Sequence, residues 1–321
     1  MNAISASFPL ASNRLTLVFL FALFLAVSLY QYMEPTTRLA ALLTPTFLLM
    51  VNFIIAMFRK KVFASKPALL VFHMALFVFV IQIIISQLTF LKGTTEVGTM
   101  QDFGGVLENV QAGPWHDYTL DEKTFTNLGF RINYREGIQR DNTINRIRIN
   151  EDNGSSHTLE IGDNVPLLLG HYRLYTSHNK GYAPIFTWIP YDNTPPLSGS
   201  VHLPAYPINE YEQAREWVLP GTQTEIWTML ILEENVIPDD RSFSFQIPQK
   251  HHVVIRIGEQ RVEMSTGDQI ELENGTLRYE TLSSWMGYTV DYDWTRPWLL
   301  ATCMIAMLSL SVHYLITIFR S

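Results

Sequence analysis

One cysteine, Cys303, occurs in 321 residues. A single thiol excludes an internal disulfide and a Cys-x-x-Cys redox pair. The absence of Cys-x-x-Cys-His also excludes haem held covalently in the c-type manner. There is no glycine-rich phosphate loop, no His-Glu-x-x-His and no nucleophile elbow. No residue stands in the setting of a general acid, a base or a nucleophile, and there is no internal repeat or low-complexity tract.

Charge is missing in four places. No Asp, Glu, Lys or Arg occurs in the 19 residues between Arg14 and Glu34, or in the 20 between Arg38 and Arg59. The same holds for the 25 between Lys66 and Lys92 and the 23 between Arg296 and Arg320. Each run is rich in Leu, Ile, Val, Phe, Ala and Met and reaches the roughly 20 residues that cross a bilayer as a helix. Core helices of a soluble protein would not be this long or this numerous. The first run ends in Leu29-Tyr30-Gln31-Tyr32-Met33-Glu34, without a small-x-small cleavage site, and reads as a retained span. Pro45 is expected to bend the second helix.

The loop Arg59-Lys60-Lys61-Val62-Phe63-Ala64-Ser65-Lys66 carries four positive charges and no acid, which assigns it to the cytoplasm. Alternation then puts both termini inside and residues 93–296 outside. That outer segment holds 15 basic and 29 acidic residues, a net −14, against +7 for the rest. Such an acidic surface excludes nucleic acid as a partner. The expected fold is membrane α plus all-β, with four transmembrane helices arranged 3 + 1. A large β-rich extracytoplasmic domain lies between the third and fourth. The expected bounds are a membrane region over 1–92 with helices near 15–33, 39–58 and 67–91, an outer domain over 93–296, and a last helix in 297–321.

Within the outer domain, alternation over 128–134 and an imperfect alternation over 144–149 predict strands, and 171–176, 253–257 and 288–292 are further β candidates. Asn153-Gly154 and Asn274-Gly275 predict turns. Six of the 16 prolines fall in 190–220, which reads as a linker or lobe boundary, with one short helix expected over 208–219. About 200 residues suffice for a core without staples. His251-His252 is a poor metal pair, because neighbours on a strand point to opposite faces. His116, His157, His171, His178 and His202 have no metal-site spacing, and each reads as a surface or hydrogen-bonded histidine.

His73 and His313 differ, because they are ionisable groups inside otherwise charge-free spans. Each lies seven residues from an inner flank, Lys66 or Arg320, hence about 10 Å inside the cytoplasmic end. Imidazole is a common haem-iron ligand, whereas a packing role would need only a hydrogen bond to a neighbouring helix. Several motifs surround these residues. Asn52 lies in Leu49-Met-Val-Asn-Phe-Ile-Ile-Ala-Met-Phe-Arg-Lys-Lys61, ahead of the basic loop. Phe72-His73-Met74-Ala75-Leu76 runs to Ser86-Gln-Leu-Thr-Phe-Leu-Lys-Gly93. Asn164-Val-Pro-Leu-Leu-Leu-Gly-His-Tyr-Arg-Leu-Tyr175 forms a strand motif, and Gly287-Tyr-Thr-Val-Asp-Tyr292 leads to Pro297.

In these motifs and in architecture the chain resembles a short form of the ResB (CcsB-type) family of System II cytochrome c biogenesis proteins. Val165 stands where the strand motif has His, Ala56 where Cys is frequent, and the last span lacks a His-Arg-Arg ending. The resemblance implies a multi-pass subunit of the bacterial inner (cytoplasmic) membrane. It would bind haem b non-covalently and transiently, beside a CcsA-type tryptophan-rich membrane protein. Together they would deliver haem outward for attachment to apocytochrome c. His73 matches the third-span histidine that the family contributes to haem iron, and His313 is the second candidate ligand. The subunit itself would be non-catalytic. The open alternative is a membrane-anchored scaffold or sensor whose β domain binds a protein without haem.

Overall fold

The computed structural model describes residues 13–59, 65–120, 124–150, 155–238 and 240–320. Most of the basic loop (60–64) and the Asn153-Gly154 turn lie outside the described residues. The chain divides into two compact units: Met1–Thr89 with Asp293–Ser321, and Phe90–Tyr292.

The first unit is helical. It contains α1 (Asn13–Leu29), a 3-10 turn (Tyr30–Tyr32), α2 (Pro35–Arg59), α3 (Pro67–Thr89) and α4 (Arg296–Arg320). All four helices are long and apolar enough to cross a membrane. Pro35 and Pro67 open α2 and α3 at the position where no N–H is needed. The second helix runs on through Pro45, and the Thr46 hydroxyl donates to the Leu42 carbonyl at 2.7 Å in the next turn. Phe21, Phe24, Leu300 and Leu308 face outward without protein cover, which suits hydrocarbon rather than water.

α1 packs along α2, and α3 along α4. The second pair is fastened where α3 ends and α4 begins. Asp293 accepts from Ser86 Oγ at 3.2 Å and from the Thr295 N–H at 3.0 Å, and Trp294 Nε1 donates to Thr89 Oγ1 at 3.1 Å. The third helix stops at Thr89 although the apolar run continues to Leu91. Leu91 is 1% exposed and starts a strand of the other unit.

The second unit is a β domain of three sheets. The seven-stranded sheet joins β1 (Leu91–Gly98), β2 (Glu108–Ala112), β6 (Leu167–Leu169), β7 (Tyr172–Pro190), β8 (Leu197–Ser200), β14 (Gln269–Leu272) and β15 (Gly275–Tyr292). The next has four strands, β3 (Phe125–Arg135), β4 (Gln139–Asn150), β5 (Ser156–Gly162) and β11 (Phe243–Ser244). The last also has four, β9 (Ala214–Val218), β10 (Glu225–Leu232), β12 (His251–Ile257) and β13 (Gln260–Met264).

The long ribbon β7–β15 organises the domain, because one half of it serves each of two cores. Phe186, Trp188, Leu277 and Tyr279 enter one core, and Leu174, Met286, Tyr288 and Val290 enter the other. Between the halves the register slips, so that Ser177, His178 and Asn179 stand opposite Gly287. A Cβ on Gly287 would come within 2.7 Å of Ser177 Oγ and 2.9 Å of the Asn179 carbonyl, so the bulge needs glycine there.

Two sequence expectations are corrected here. Residues 190–220 are no linker: β8 pairs with β7, and Val201, Leu203 and Tyr206 are buried in the first core. The expected helix over 208–219 is a turn followed by β9, because Ala214–Val218 gains a full ladder to β10. That ladder outweighs the helix propensity of Glu, Gln and Ala.

Lys180, beside the bulge, is 3% exposed, and its Nζ lies 5.8 Å from the centre of the Tyr134 ring. Burial and the nearby Arg140 hold its pKa down at about 8, with Asp163 acting the other way. The unfolded chain, with a lysine pKa near ~10.4, binds the extra proton between these values, so stability rises with pH from about 8 to about 10. Lys180→Met is expected to abolish that rise and to stabilise the domain at pH 7 by up to roughly 3 kcal/mol. Denaturant unfolding across a pH series measures both effects.

Candidate functional site

His73 lies on α3 and is half-buried. Its ring stacks on Phe53 of α2, with centroids 5.4 Å apart and planes inclined by 15°, and Phe72 meets it edge-on at 5.3 Å. Nδ1 is 2.7 Å from the Leu69 carbonyl. A carbonyl only accepts, so the proton sits on Nδ1 and Nε2 carries the basic lone pair. A backbone carbonyl on Nδ1 is the usual support of a metal-binding imidazole, because it fixes the tautomer and the ring plane.

Asn52, the residue before Phe53, is 3% exposed and donates from Nδ2 to Thr16 Oγ1 of α1 at 2.8 Å. Two consecutive residues of α2 thus bind α1 through a hydrogen bond and meet α3 through the stacked histidine. A polar pair between apolar helices holds them in register.

His313 occupies a different surface. On α4 the buried positions Thr302, Ala306 and Ser309 recur at helical spacing, and His313, seven residues past Ala306, falls at the next position of that row, its ring 5.6 Å from that of Tyr314. On α3 the buried Ala75 and Ser86 share one face with Gln82, and His73 lies about 160° around the helix from Ala75. His73 thus turns to Phe53 of α2, on another side of α3 from the buried Ala75.

Three histidines of the β domain are held locally. His116 Nε2 is 3.1 Å from the Tyr172 hydroxyl in a cluster with Tyr118 and Tyr292. His251 lies between the Pro248 carbonyl and the Tyr279 hydroxyl, at 3.0 and 2.8 Å, whereas His252 bonds Glu233 at 2.7 Å. The two neighbours thus engage different partners. Among the described residues no group of three or more His, Cys, Asp or Glu could hold a metal ion.

One arrangement has no signal in the sequence. A cleft of about 420 Å³ in the β domain is lined by Glu96, Phe103, Val106, His202, Arg215 and Trp217, among others. His202 Nδ1 is 3.1 Å from Glu96 Oε2, and Arg215 donates to the His202 carbonyl at 2.7 Å. The imidazole lies flat on Trp285, with centroids 5.4 Å apart and planes inclined by 9°. Trp285 is itself anchored by Nε1 to the Leu203 carbonyl at 2.9 Å. Glu96 and His202 are 106 residues apart, so only the packing of β1 against the chain beyond β8 brings them together. No protein-family model matches the sequence, and no curated protein matches it.

Proposed function

We propose that the protein is a haem-handling subunit of a cytochrome c maturation complex in the bacterial inner membrane. It binds haem b non-covalently through His73 and helps pass it outward to apocytochrome c. The observation that carries this reading is the setting of His73: an imidazole in a charge-free span, its Nδ1–H on a backbone carbonyl and its ring clamped between Phe53 and Phe72. That donor set fits the porphyrin iron, which brings four equatorial nitrogens and asks the protein for axial ligands only. The bound haem supplies the iron and the vinyl groups to which the apocytochrome thiols add.

The chain's own residues hold and orient. Leu69 fixes the ligand tautomer, Phe53 sets the ring plane, and the Asn52–Thr16 bond keeps α1 and α2 in place around it. His313, on α4, is the second candidate ligand. A CcsA-type tryptophan-rich membrane partner supplies the remaining haem contacts. The basic loop sets the orientation, with both termini cytoplasmic and the β domain outside.

Purifying the chain with and without that partner and recording the absorption spectrum tests the reading. A Soret band with split α/β bands on reduction is expected in the complex. A haem-free complex that still binds a protein through its β domain would leave a scaffold instead. For the orientation, a reporter active only outside the cytoplasm is expected to work when inserted at Asn153-Gly154 and to be silent after Lys61.

A further inference from the structure

The acidic β domain has one end that is apolar and almost free of charge. It is the end where the chain enters and leaves. Phe90 follows Thr89, the last residue of α3, and Tyr292 stands four residues before Arg296, the first of α4. Leu91 pairs with Tyr292, and Tyr292 with Tyr172, so these strand ends form one row. The Gly113 N–H donates to the Phe90 carbonyl at 2.9 Å, and the His116 ring meets Tyr292 edge-on at 4.7 Å. The turn over 113–116 and the β6–β7 turn at Gly170-His171 therefore lie at this same end.

The first of these turns holds aromatic rings outward. The His116 N–H closes it onto the Gly113 carbonyl at 3.1 Å, around Pro114, whose ring fixes the backbone. His116 turns inward to the Tyr172 hydroxyl, whereas Trp115 beside it is 68% exposed and Tyr118 is 61% exposed. The Trp115 indole N–H and the Tyr118 hydroxyl bond no described residue. Leu168 of β6 is exposed as well. Tyr118 also borders a groove of about 210 Å³, lined besides by Leu91, Leu107, Val110, Leu120 and Tyr172, with Gly105, and by no charged side chain among the described residues. From Asn109 to Leu120 the chain has one acid, Asp117, and no Lys or Arg; from Asn164 to Thr176 it has Arg173 and no acid. In the row next to Leu91 and Tyr292, Lys92 and Arg173 flank Asp291.

Rings with an apolar body and a free polar tip are the side chains that settle in the headgroup layer of a bilayer. Phe90 is bonded directly to Thr89, and four residues reach at most about 14 Å, so a bilayer that α3 and α4 cross presents its surface to this end. Local charge near zero suits zwitterionic headgroups, whereas the acidic remainder of the domain is kept off anionic lipid. We propose that Trp115 and Tyr118 anchor this end of the β domain in the headgroup layer of that bilayer, with Leu168 beside them. The proposal requires α3 and α4 to be spans; neither haem nor the orientation of the chain enters it.

The test uses the full chain in phosphatidylcholine vesicles, with Cys303→Ala and one new cysteine carrying a polarity-sensitive dye. The new cysteines are Trp115→Cys, Leu168→Cys and, as control, Tyr191→Cys, an exposed position at the opposite end of the β7–β15 ribbon. The dyes at 115 and 168 are expected to emit further to the blue than the dye at 191. Phospholipid carrying a headgroup nitroxide should quench them about twofold or more, and leave the control unquenched. Adding Trp115→Ser and Tyr118→Ser should remove most of the shift at 168. Equal emission and equal quenching at all three positions would overturn the proposal. So would a blue-shifted dye at 115 that nitroxide lipid does not quench, which is a surface covered by protein. The unmutated protein gives a second arm that does not depend on how any variant folds. Vesicles containing a phospholipid with a photoactivated diazirine near its headgroup should leave adducts on the peptide with Trp115 and Tyr118 and none on that with Tyr191. Adducts at the ends of α3 and α4 without any on 113–118 would overturn the anchor and leave the spans standing. Helices equally free of adducts would remove the spans and the anchor with them.

Discussion

His73→Ala is expected to strip haem from the purified complex, at least tenfold per mole of folded protein, and to abolish c-type cytochrome maturation. On that reading the iron would lose its His73 nitrogen, and the Phe53 and Phe72 rings beside it offer no donor. His73→Cys should keep part of the haem with an altered Soret band, because a thiolate also binds iron, and added imidazole should refill the alanine variant. Phe53→Leu should keep the ligand but loosen the ring plane, lowering haem retention without changing the type of spectrum. A histidine that served packing alone would behave otherwise. Its loss would cost about 1–2 kcal/mol of helix association and leave haem per folded complex unchanged. Haem stoichiometry on wild type and variant at matched folding separates the two, and equal stoichiometry would end the assignment.

The second large effect lies in the β domain. Asn145→Ala is expected to destabilise it by about 3–5 kcal/mol, enough to lower expression. Asn145, Asn127 and Tyr288 are all fully buried. Asn145 Nδ2 donates to Asn127 Oδ1 at 2.8 Å and to the Gly129 carbonyl at 2.9 Å, while its Oδ1 accepts from the Tyr288 hydroxyl at 2.7 Å. Asn127 Nδ2 in turn donates to the Val97 carbonyl at 2.9 Å. One amide thus ties β4 to β3 and to β15. Alanine would leave the buried Tyr288 hydroxyl and the half-buried Gly129 carbonyl without this partner, while Asn127 Oδ1 keeps the Gly129 N–H at 2.9 Å, and a desolvated partner costs more than the bond itself contributes. Tyr288→Phe removes a single hydroxyl and should cost about 1–2 kcal/mol. Burial drives the Tyr288 phenol well above its ordinary pKa, with the Asn145 bond pulling the other way, so it stays a donor across the working range. Denaturant unfolding of both single variants and the double variant gives the coupling. Additive losses would show that the three side chains do not act as a network.

The same asparagine explains why the sequence pattern was imperfect over 144–149. The buried positions of β4 are Thr143, Asn145 and Ile147, so Ile144 lies on the other, half-covered face, whereas Ile149 shares the inner face and packs against the second core. Reading apolar as inward puts the wrong residues in the core wherever a satisfied polar side chain is the inward one. The strand patterns at 171–176 and 288–292 marked only the ends of β7 and β15, which run for 19 and 18 residues. Their alternation breaks at the bulge, where the ribbon passes from one core to the other. His202 gave no signal at all, because its partner lies on a strand 106 positions away.

Local pattern was enough to set out the four apolar helices and the β-rich character of the segment between the third and the fourth. It also marked His73 as the exceptional residue of its span. These are local properties: the length of a charge-free run, the period of alternation and one ionisable group among hydrocarbons. Only the tertiary structure decided that residues 190–220 are core rather than linker and that 214–218 is a strand. It alone set His73 against Phe53 of α2. Pairing, bulge and helix face each depend on which distant segment lies opposite, and no window of sequence contains that partner.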